Sequence, residues 1–199
     1  MKKSDTQEFE IPEEEIKIAD GSHKAAAKPD DTTELVEELV EKKRTGKLDK
    51  ARILGENIAM AVCSGQIITP EGASEDMFTE RLRSQARLLL AFAVSVGLDE
   101  VTSSELTART ALSVFYDTLK KDCPALYESL NSSAAISMYY LAFRRGGNVD
   151  EAIGKTFAAL CGEEDSMEHA LLGRELYIHF LATIYREAAK LDLAKDQDE

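Results

Sequence analysis

Histidine is the natural starting point for catalytic or metal chemistry, because its side chain titrates near neutral pH and binds metal ions. The sequence holds three histidines, His23, His169 and His179. The last two fall on one predicted helix, ten residues apart, which puts them about 80° from a common face. Neither has a glutamate three residues before it, as carboxylate-bridged metal sites use. We therefore predict no metal site, and we expect Glu175 and His179 to form either a helix-surface pair or a polar contact in the core.

Nucleophiles and nucleotide-binding loops are equally scarce. The three cysteines, Cys63, Cys123 and Cys161, show no CxxC spacing, and we predict reduced, mostly buried thiols rather than a disulfide framework or a zinc site. No Gly-x-Gly-x-x-Gly, Walker-type or Gly-x-Ser-x-Gly pattern is present, so nucleotide cradles and serine nucleophile elbows have no support. The sequence thus predicts neither catalytic residues nor a cofactor.

Aromatic residues concentrate in the C-terminal third of the chain. Buried tyrosines need a partner for the hydroxyl, so such a cluster forms either a core with hydroxyls at its rim or the lining of a groove or small-molecule pocket. Both interpretations stay open. The residues assigned to the groove or pocket are Tyr139, Tyr140, Phe143, Tyr177 and His179.

The net charge of the chain indicates which kinds of partner it should not bind. The formal charge is −13 and the pI is near 4.8, which disfavours sequence-independent nucleic-acid binding, since that depends on cations that neutralise phosphates. The longest apolar run covers about 16 Å as a helix, roughly half of a bilayer core, so no membrane span is expected. Because residues 1–30 contain no apolar segment of signal-peptide length, we expect a cytoplasmic protein.

Residues 1–30 are rich in Glu, Asp and Lys and are predicted to form a flexible acidic arm. Within FEIPEEEIKI the apolar residues Phe9, Ile11, Ile16 and Ile18 are interleaved with charged ones. An extended backbone would place them on one side. They either lie back on the domain or form a short docking segment for a partner's sheet edge or groove.

The organising stretch of the chain is the apolar run from Leu88 to Leu98, interrupted only by Ser95 and Gly97. A helix that is apolar on every side must be surrounded by other elements. We predict a central helix over about 75–96, with Ser74 as N-cap and Gly97 as the residue that ends it.

Helical patterns fill the rest of the chain. Capping-box spacing occurs at Asp31, Thr102 and Asn148, each with Glu three residues later. We predict an all-α domain over 31–191, with six or seven helices packed as antiparallel hairpins around the central one, and a frayed tail over 192–199. The predicted helices beside the central one are Asp31–Gly46, Leu48–Gly65, Thr102–Cys123, Ala134–Arg145 with caps at Asn131 and Ser132, Asn148–Cys161, and about Ser166–Leu191, with a further turn over Ala125–Leu130.

Two interhelical turns are similar to each other. GKLDKA at Gly46–Ala51 and GNVDEA at Gly147–Ala152 share Gly, an aliphatic residue, Asp and Ala. The turn resembles that of tetratricopeptide-like helical hairpins, and Ile136, Phe143, Ala152 and Ala159 fall at spacings of that repeat. The copy departs from the pattern at Tyr140, where a small residue is expected, and at Glu164, where proline is expected. We interpret the similarity as helical-hairpin turn chemistry.

These observations favour a non-catalytic, intracellular protein-interaction module whose partner is unidentified and whose oligomeric state stays open. The alternative is a small-molecule-binding or enzymatic bundle, with a pocket lined by the C-terminal aromatics and a histidine.

Overall fold

The computed structural model describes residues 29–65 and 79–195, with side chains from Val36 onward, and every regular secondary-structure element in this part of the chain is an α-helix. Contacts divide the chain into Met1–Val36 and Glu37–Glu199, and the hydrophobic core lies in the second unit. The described residues form eight helices, more than the six or seven predicted, because α5 is a full helix rather than a turn. They are α1 (Pro29–Arg44), α2 (Lys47–Ser64), α3 (Glu80–Val101), α4 (Glu105–Asp122), α5 (Pro124–Ser132), α6 (Ala135–Arg144), α7 (Val149–Cys161) and α8 (Met167–Lys190).

Helix α3 is the centre of the core, as its apolar run predicts. Every residue from Leu88 to Leu98 is buried, and helices α4 to α8 all pack against α3. Of the two interruptions, Ser95 is accommodated locally, because its Oγ donates a hydrogen bond to the Ala91 carbonyl at 2.9 Å. The polar atom is therefore satisfied within the helix, at little cost to burial.

The predicted ends of α3 are wrong. The helix begins after Thr79, whose Oγ1 accepts a hydrogen bond from the Leu82 N–H at 3.3 Å, while Ser74 lies outside the described residues. Gly97 does not end the helix, which continues to Val101. A Cβ at Gly97 would lie 2.9 Å from Leu181 Cδ2 and 3.2 Å from Ile184 Cδ1. Gly97 therefore serves close packing of α8 rather than chain reversal.

The predicted N-cap of α4 is also wrong, by two residues. Ser104 caps α4, its Oγ accepting from the Thr107 N–H at 3.3 Å. Thr102 instead ends α3 and donates its hydroxyl to the Leu98 carbonyl at 2.8 Å. Thr102 is buried and forms an antiparallel bridge with Ala194, and this long-range pairing holds it in an extended conformation.

Among the other predicted helix caps, some are confirmed and others are wrong. Asn148 accepts from the Glu151 N–H and Ser166 from the His169 N–H, as predicted, and Gly65 and Gly162 end α2 and α7 in the left-handed conformation. Asn131 and Ser132 were predicted to cap α6, but they lie inside α5, which Pro124 begins at the first helical position. The N-cap position of α6 is Ala134.

The C-terminal segment is anchored as far as Lys195, unlike the frayed tail predicted over 192–199. Leu193 is buried, and the Lys195 N–H donates to the Val101 carbonyl at 2.7 Å. Asp192 forms an ion pair of 2.9 Å with Lys50 of α2. The segment therefore closes over the α3–α4 junction. Residues 196–199 lie outside the described residues.

The cysteine prediction is corrected for two of the three residues. Cys63, at the end of α2, and Cys123, between α4 and α5, form a disulfide with Cα atoms 6.0 Å apart, which is within the usual range. Packing of α2 against α4 brings them together across 60 residues of sequence, a proximity that short cysteine spacings do not reveal. Cys161 is free and buried, and burial raises the pKa of its thiol to about 11.

The predicted arm over 1–30, with Phe9, Ile11, Ile16 and Ile18, lies outside the described residues except for Pro29 and Asp30, which begin α1. Among the helices described here, none combines the length and the apolar character that a bilayer crossing requires.

Candidate functional site

The C-terminal aromatics meet around Phe92 of α3. Its ring centroid lies 5.3 Å from Tyr139 and 6.2 Å from Tyr177 in stacked geometry, and 5.1 Å from Tyr140 and 6.1 Å from Phe143 in edge geometry. Tyr139 and Tyr177 are fully buried. These two tyrosines thus belong to the core and do not line the groove described below, so the groove predicted from them is not the groove observed.

Two tyrosine hydroxyls near this core differ in their hydrogen bonding. Tyr116 and Ser95 share a hydrogen bond of 2.8 Å, and because Ser95 already donates to Ala91, Tyr116 is the donor. The Tyr139 hydroxyl has no hydrogen-bond partner. Burial accordingly raises the pKa of Tyr139 well above its usual value, so this phenol stays protonated and is unsuited to acid–base chemistry near neutral pH.

Tyr140, Phe143 and His179 lie toward the surface. Tyr140 is exposed and Phe143 and His179 are half-buried. None of them lines the groove described below. Four of the five predicted residues therefore pack around Phe92, and none of the five is among the residues that line the groove.

A groove of about 650 Å³ does lie in the C-terminal third, between α6 and α8 and over α7. Its floor is built from small side chains of α7, namely Ala152, Thr156 and Ala159. Its walls are Met138 and Ala142 of α6 on one side, and Met167 and Ala170 of α8 on the other. Met138 is 40% exposed and Met167 is 72% exposed, so apolar surface faces solvent across an alanine floor.

Two glycines set how closely α7 and α8 pack along the groove. A Cβ at Gly154 of α7 would overlap the Ala170 carbonyl oxygen and lie 3.1 Å from Arg174 Cβ. One turn along, a Cβ at Gly173 of α8 would lie 2.5 Å from Phe157 Cβ. The two glycines therefore let α7 and α8 approach closely, which places Ala170 of α8 beside the α7 residues that line the groove.

Polar side chains surround the apolar floor. Near the start of α7 the lining includes Arg145, Glu151 and Lys155, and at the α7–α8 turn it includes Glu164 and Asp165. Two lining residues, Asn148 and Ser166, are occupied as helix N-caps. Ser166 Oγ also lies 2.9 Å from His169 Nδ1. An apolar centre within a polar rim is typical of a surface that receives side chains of a partner.

A second pocket, of about 540 Å³, lies where the C-terminal segment covers the α3–α4 junction. Its polar groups are engaged with one another: Lys195 Nζ donates to the Asp99 carbonyl at 3.1 Å, and Arg109 pairs with Glu105. Ser104 caps α4 and receives a hydrogen bond from Lys42. This pocket has the character of a hydrogen-bonded helix junction.

Sequence reasoning missed Met138 and Met167 as site residues. The available signal was the face of α7 on which Ala152, Thr156 and Ala159 follow each other at spacings of four and three. Ala152 and Ala159 are also positions of the repeat-like pattern, but that pattern by itself predicts only a turn between two helices. A small-residue face becomes a binding floor only when both neighbouring helices stand higher than it, and the tertiary structure decides that.

Among the residues that the structure describes, no group of three or more His, Cys, Asp or Glu side chains is arranged to hold a metal ion. Comparisons with protein-family models, with curated proteins and with solved structures found no match for the chain.

Proposed function

We propose that this protein is a protein-interaction module that binds a polypeptide segment in the groove between α6, α7 and α8. The observation that carries the proposal is the pair of exposed methionines, Met138 of α6 and Met167 of α8, which line the groove together with the small side chains of α7. Methionine is flexible and polarisable and adapts to varied apolar partners. Exposed apolar surface framed by polar side chains marks interaction sites in soluble domains.

A peptide-display selection on the full chain tests the proposal. A library of random peptides is enriched on the wild-type protein, and the pool is then tested against Ala159→Arg, which fills the groove floor from an α7 position outside the core cluster. We expect Ala159→Arg to lower the affinity of the pool by about tenfold or more, equivalent to about 1.4 kcal/mol.

Ala182→Arg is the matched control, because Ala182 is exposed on α8 and does not line the groove. It should leave binding within about twofold of wild type, well below the tenfold step. An enriched pool that binds Ala159→Arg as well as wild type would overturn the proposal, and so would a selection that enriches no peptide.

The acidic arm is a second proposed contact. Phe9, Ile11, Ile16 and Ile18 are the apolar residues that would dock onto a partner, and the same pool tested against the chain with all four changed to Ala separates arm binding from groove binding. Loss of binding in this variant, with retention in Ala159→Arg, would place the contact in the arm.

A second candidate function is binding or turnover of a small molecule, and the Ser166–His169 contact at the groove favours it. A hydroxyl 2.9 Å from an imidazole nitrogen is the spacing of a nucleophile and its base. The measurement is a thermal shift with panels of metabolites and metal ions, repeated on His169→Gln. A stabilising ligand whose effect disappears in His169→Gln would favour this candidate over polypeptide binding.

A cytoplasmic location stays a proposal. It was expected from the composition of the first 30 residues, whereas the Cys63–Cys123 disulfide is of a kind more common in oxidising compartments.

A further inference from the structure

Charge is distributed unevenly along the groove. At the α7–α8 turn, Glu164 and Asp165 line it and Glu163 and Glu168 are exposed beside them. One cation, Arg81, lies at this turn, where its guanidinium packs against Gly162. The N-terminus of α8 adds only a partial positive charge. The carboxylates therefore outnumber the cations, and this end of the groove is acidic.

The opposite end of the groove has the opposite balance. Arg145 and Lys155 line it together with Glu151. Arg144 is exposed next to Arg145 and Asp150 is half-buried next to Glu151, so three cations stand against two carboxylates. The groove is therefore bipolar, with an apolar middle between a cationic end and an anionic end. A segment that fits must match all three zones, because opposite charges across an interface set its orientation and like charges exclude wrong partners.

The apolar floor also restricts the backbone of the occupant. An extended segment laid on Ala152 and Ala159 would press backbone N–H and C=O groups against alanine methyl groups, which offer no hydrogen bonds. A buried backbone group without a partner costs about 1–3 kcal/mol. A helix satisfies its backbone internally, so it can enter the groove without this penalty.

We infer that the segment bound in the groove is an amphipathic helix whose Lys- or Arg-rich end lies against Glu164 and Asp165 and whose apolar face covers the alanine floor between Met138 and Met167. This inference rests on the proposed function. The floor helix α7 has 13 residues and is about 20 Å long, which matches three to four turns of a partner. The apolar residues of such a partner helix are expected at positions i, i+3, i+4 and i+7. The charge of −13 on the whole chain also attracts a cationic partner.

The test uses the peptide pool enriched on the full-length wild-type protein, whose sequences are read before any affinity is measured. We expect Lys and Arg to be enriched at one end and apolar residues at helical spacing in the middle. Affinities of several pool members for wild type and for Glu164→Lys/Asp165→Lys are then measured by fluorescence polarisation at low and high salt. The charge reversal should weaken binding by about tenfold at low salt and by less at high salt, because salt screens exposed charges.

Two controls keep the result interpretable. Asp117→Lys/Glu128→Lys makes the same change of net charge at exposed positions of α4 and α5 outside the groove, and it should stay within about twofold of wild type. Because Lys at position 165 opposes the dipole of α8, Glu164→Gln/Asp165→Asn repeats the test without an added positive charge. Circular dichroism checks that each variant is folded.

The outcomes separate this inference from the proposed function. A pool that depends on Ala159 but is neutral or acidic, or that binds the charge-reversed variant equally well, overturns the basic helix and leaves the groove as a polypeptide site. A pool that binds extended peptides with proline through the central positions overturns the helical conformation. A pool indifferent to Ala159→Arg overturns both proposals.

Discussion

Phe92 shows how single side chains set the character of the C-terminal third. Its ring contacts Tyr139 and Tyr177 face to face and Tyr140 and Phe143 edge to face. Such arrangements contribute about 0.5–1.5 kcal/mol per pair beyond area burial. The tyrosines therefore work chiefly as large apolar groups. Their hydroxyls are what differ from residue to residue, and the surroundings of each hydroxyl decide whether it stabilises the fold.

Substitution of tyrosine by phenylalanine should have opposite effects on stability at two positions of the chain. Tyr139→Phe removes a buried hydroxyl without a partner and should raise the free energy of unfolding by about 1 kcal/mol, whereas Tyr116→Phe breaks the bond to Ser95 and should lower it by a similar amount. Urea denaturation of both variants and wild type measures the difference. If Tyr139→Phe were as destabilising as Tyr116→Phe, the Tyr139 hydroxyl would have to be satisfied in solution.

At the scale of elements, glycines inside helices set how closely helices approach. Gly55 lets α2 lie against the backbone of α4, and a Cβ there would overlap the Ala111 carbonyl oxygen and lie 3.1 Å from the Phe115 nitrogen. Gly97 is also helical, but a Cβ there would meet only the outer carbons of Leu181 and Ile184. Backbone cannot move without moving a whole helix, whereas side-chain ends adjust their rotamers.

Gly55→Ala should therefore be more harmful than Gly97→Ala. Both substitutions gain about 1 kcal/mol of helix propensity. Against that gain, overpacking at position 55 should leave a net loss of about 1–3 kcal/mol, while position 97 should stay near neutral. Thermal and urea unfolding of the two variants provides the comparison. A loss at position 97 that equals or exceeds the loss at position 55 would contradict this account of the α2–α4 contact.

On the scale of the whole molecule, two long-range ties join distant parts of the chain. The Cys63–Cys123 disulfide links the end of α2 to the start of α5, and the segment around Leu193 closes over the α3–α4 junction. A cross-link that spans 60 residues removes much of the conformational freedom of the unfolded chain. It should therefore stabilise the fold mainly through the unfolded state.

Reduction of the disulfide should lower stability by about 2–4 kcal/mol, which corresponds to a melting temperature lower by about 5–15 °C for a domain of this size. The measurement is thermal unfolding with and without dithiothreitol. The Cys63→Ala/Cys123→Ala variant is the control and should not respond to the reductant. Equal melting curves for wild type in both conditions would show that the cross-link is not formed in solution or does not contribute.

The sequence by itself determined the features whose signals are local. The apolar run from Leu88 to Leu98 required a surrounded helix, and Asn148 and Ser166 bind backbone groups only three residues away. Because such hydrogen bonds depend on neighbouring residues alone, they can be predicted from the sequence. The all-α class and the central position of α3 follow from these patterns.

Only the tertiary structure decided the rest. Thr102 has a better capping pattern than Ser104, yet pairing with Ala194 takes it out of that role. The pattern around Gly97 predicts the end of a helix, but α8 packs over this residue and the helix continues. Cys63 is predicted to be a free thiol, but packing of α2 against α4 brings it to Cys123. The groove depends on how α6 and α8 pack beside the small side chains of α7. Each of these features depends on contacts between residues far apart in sequence, whose free energies no local pattern records.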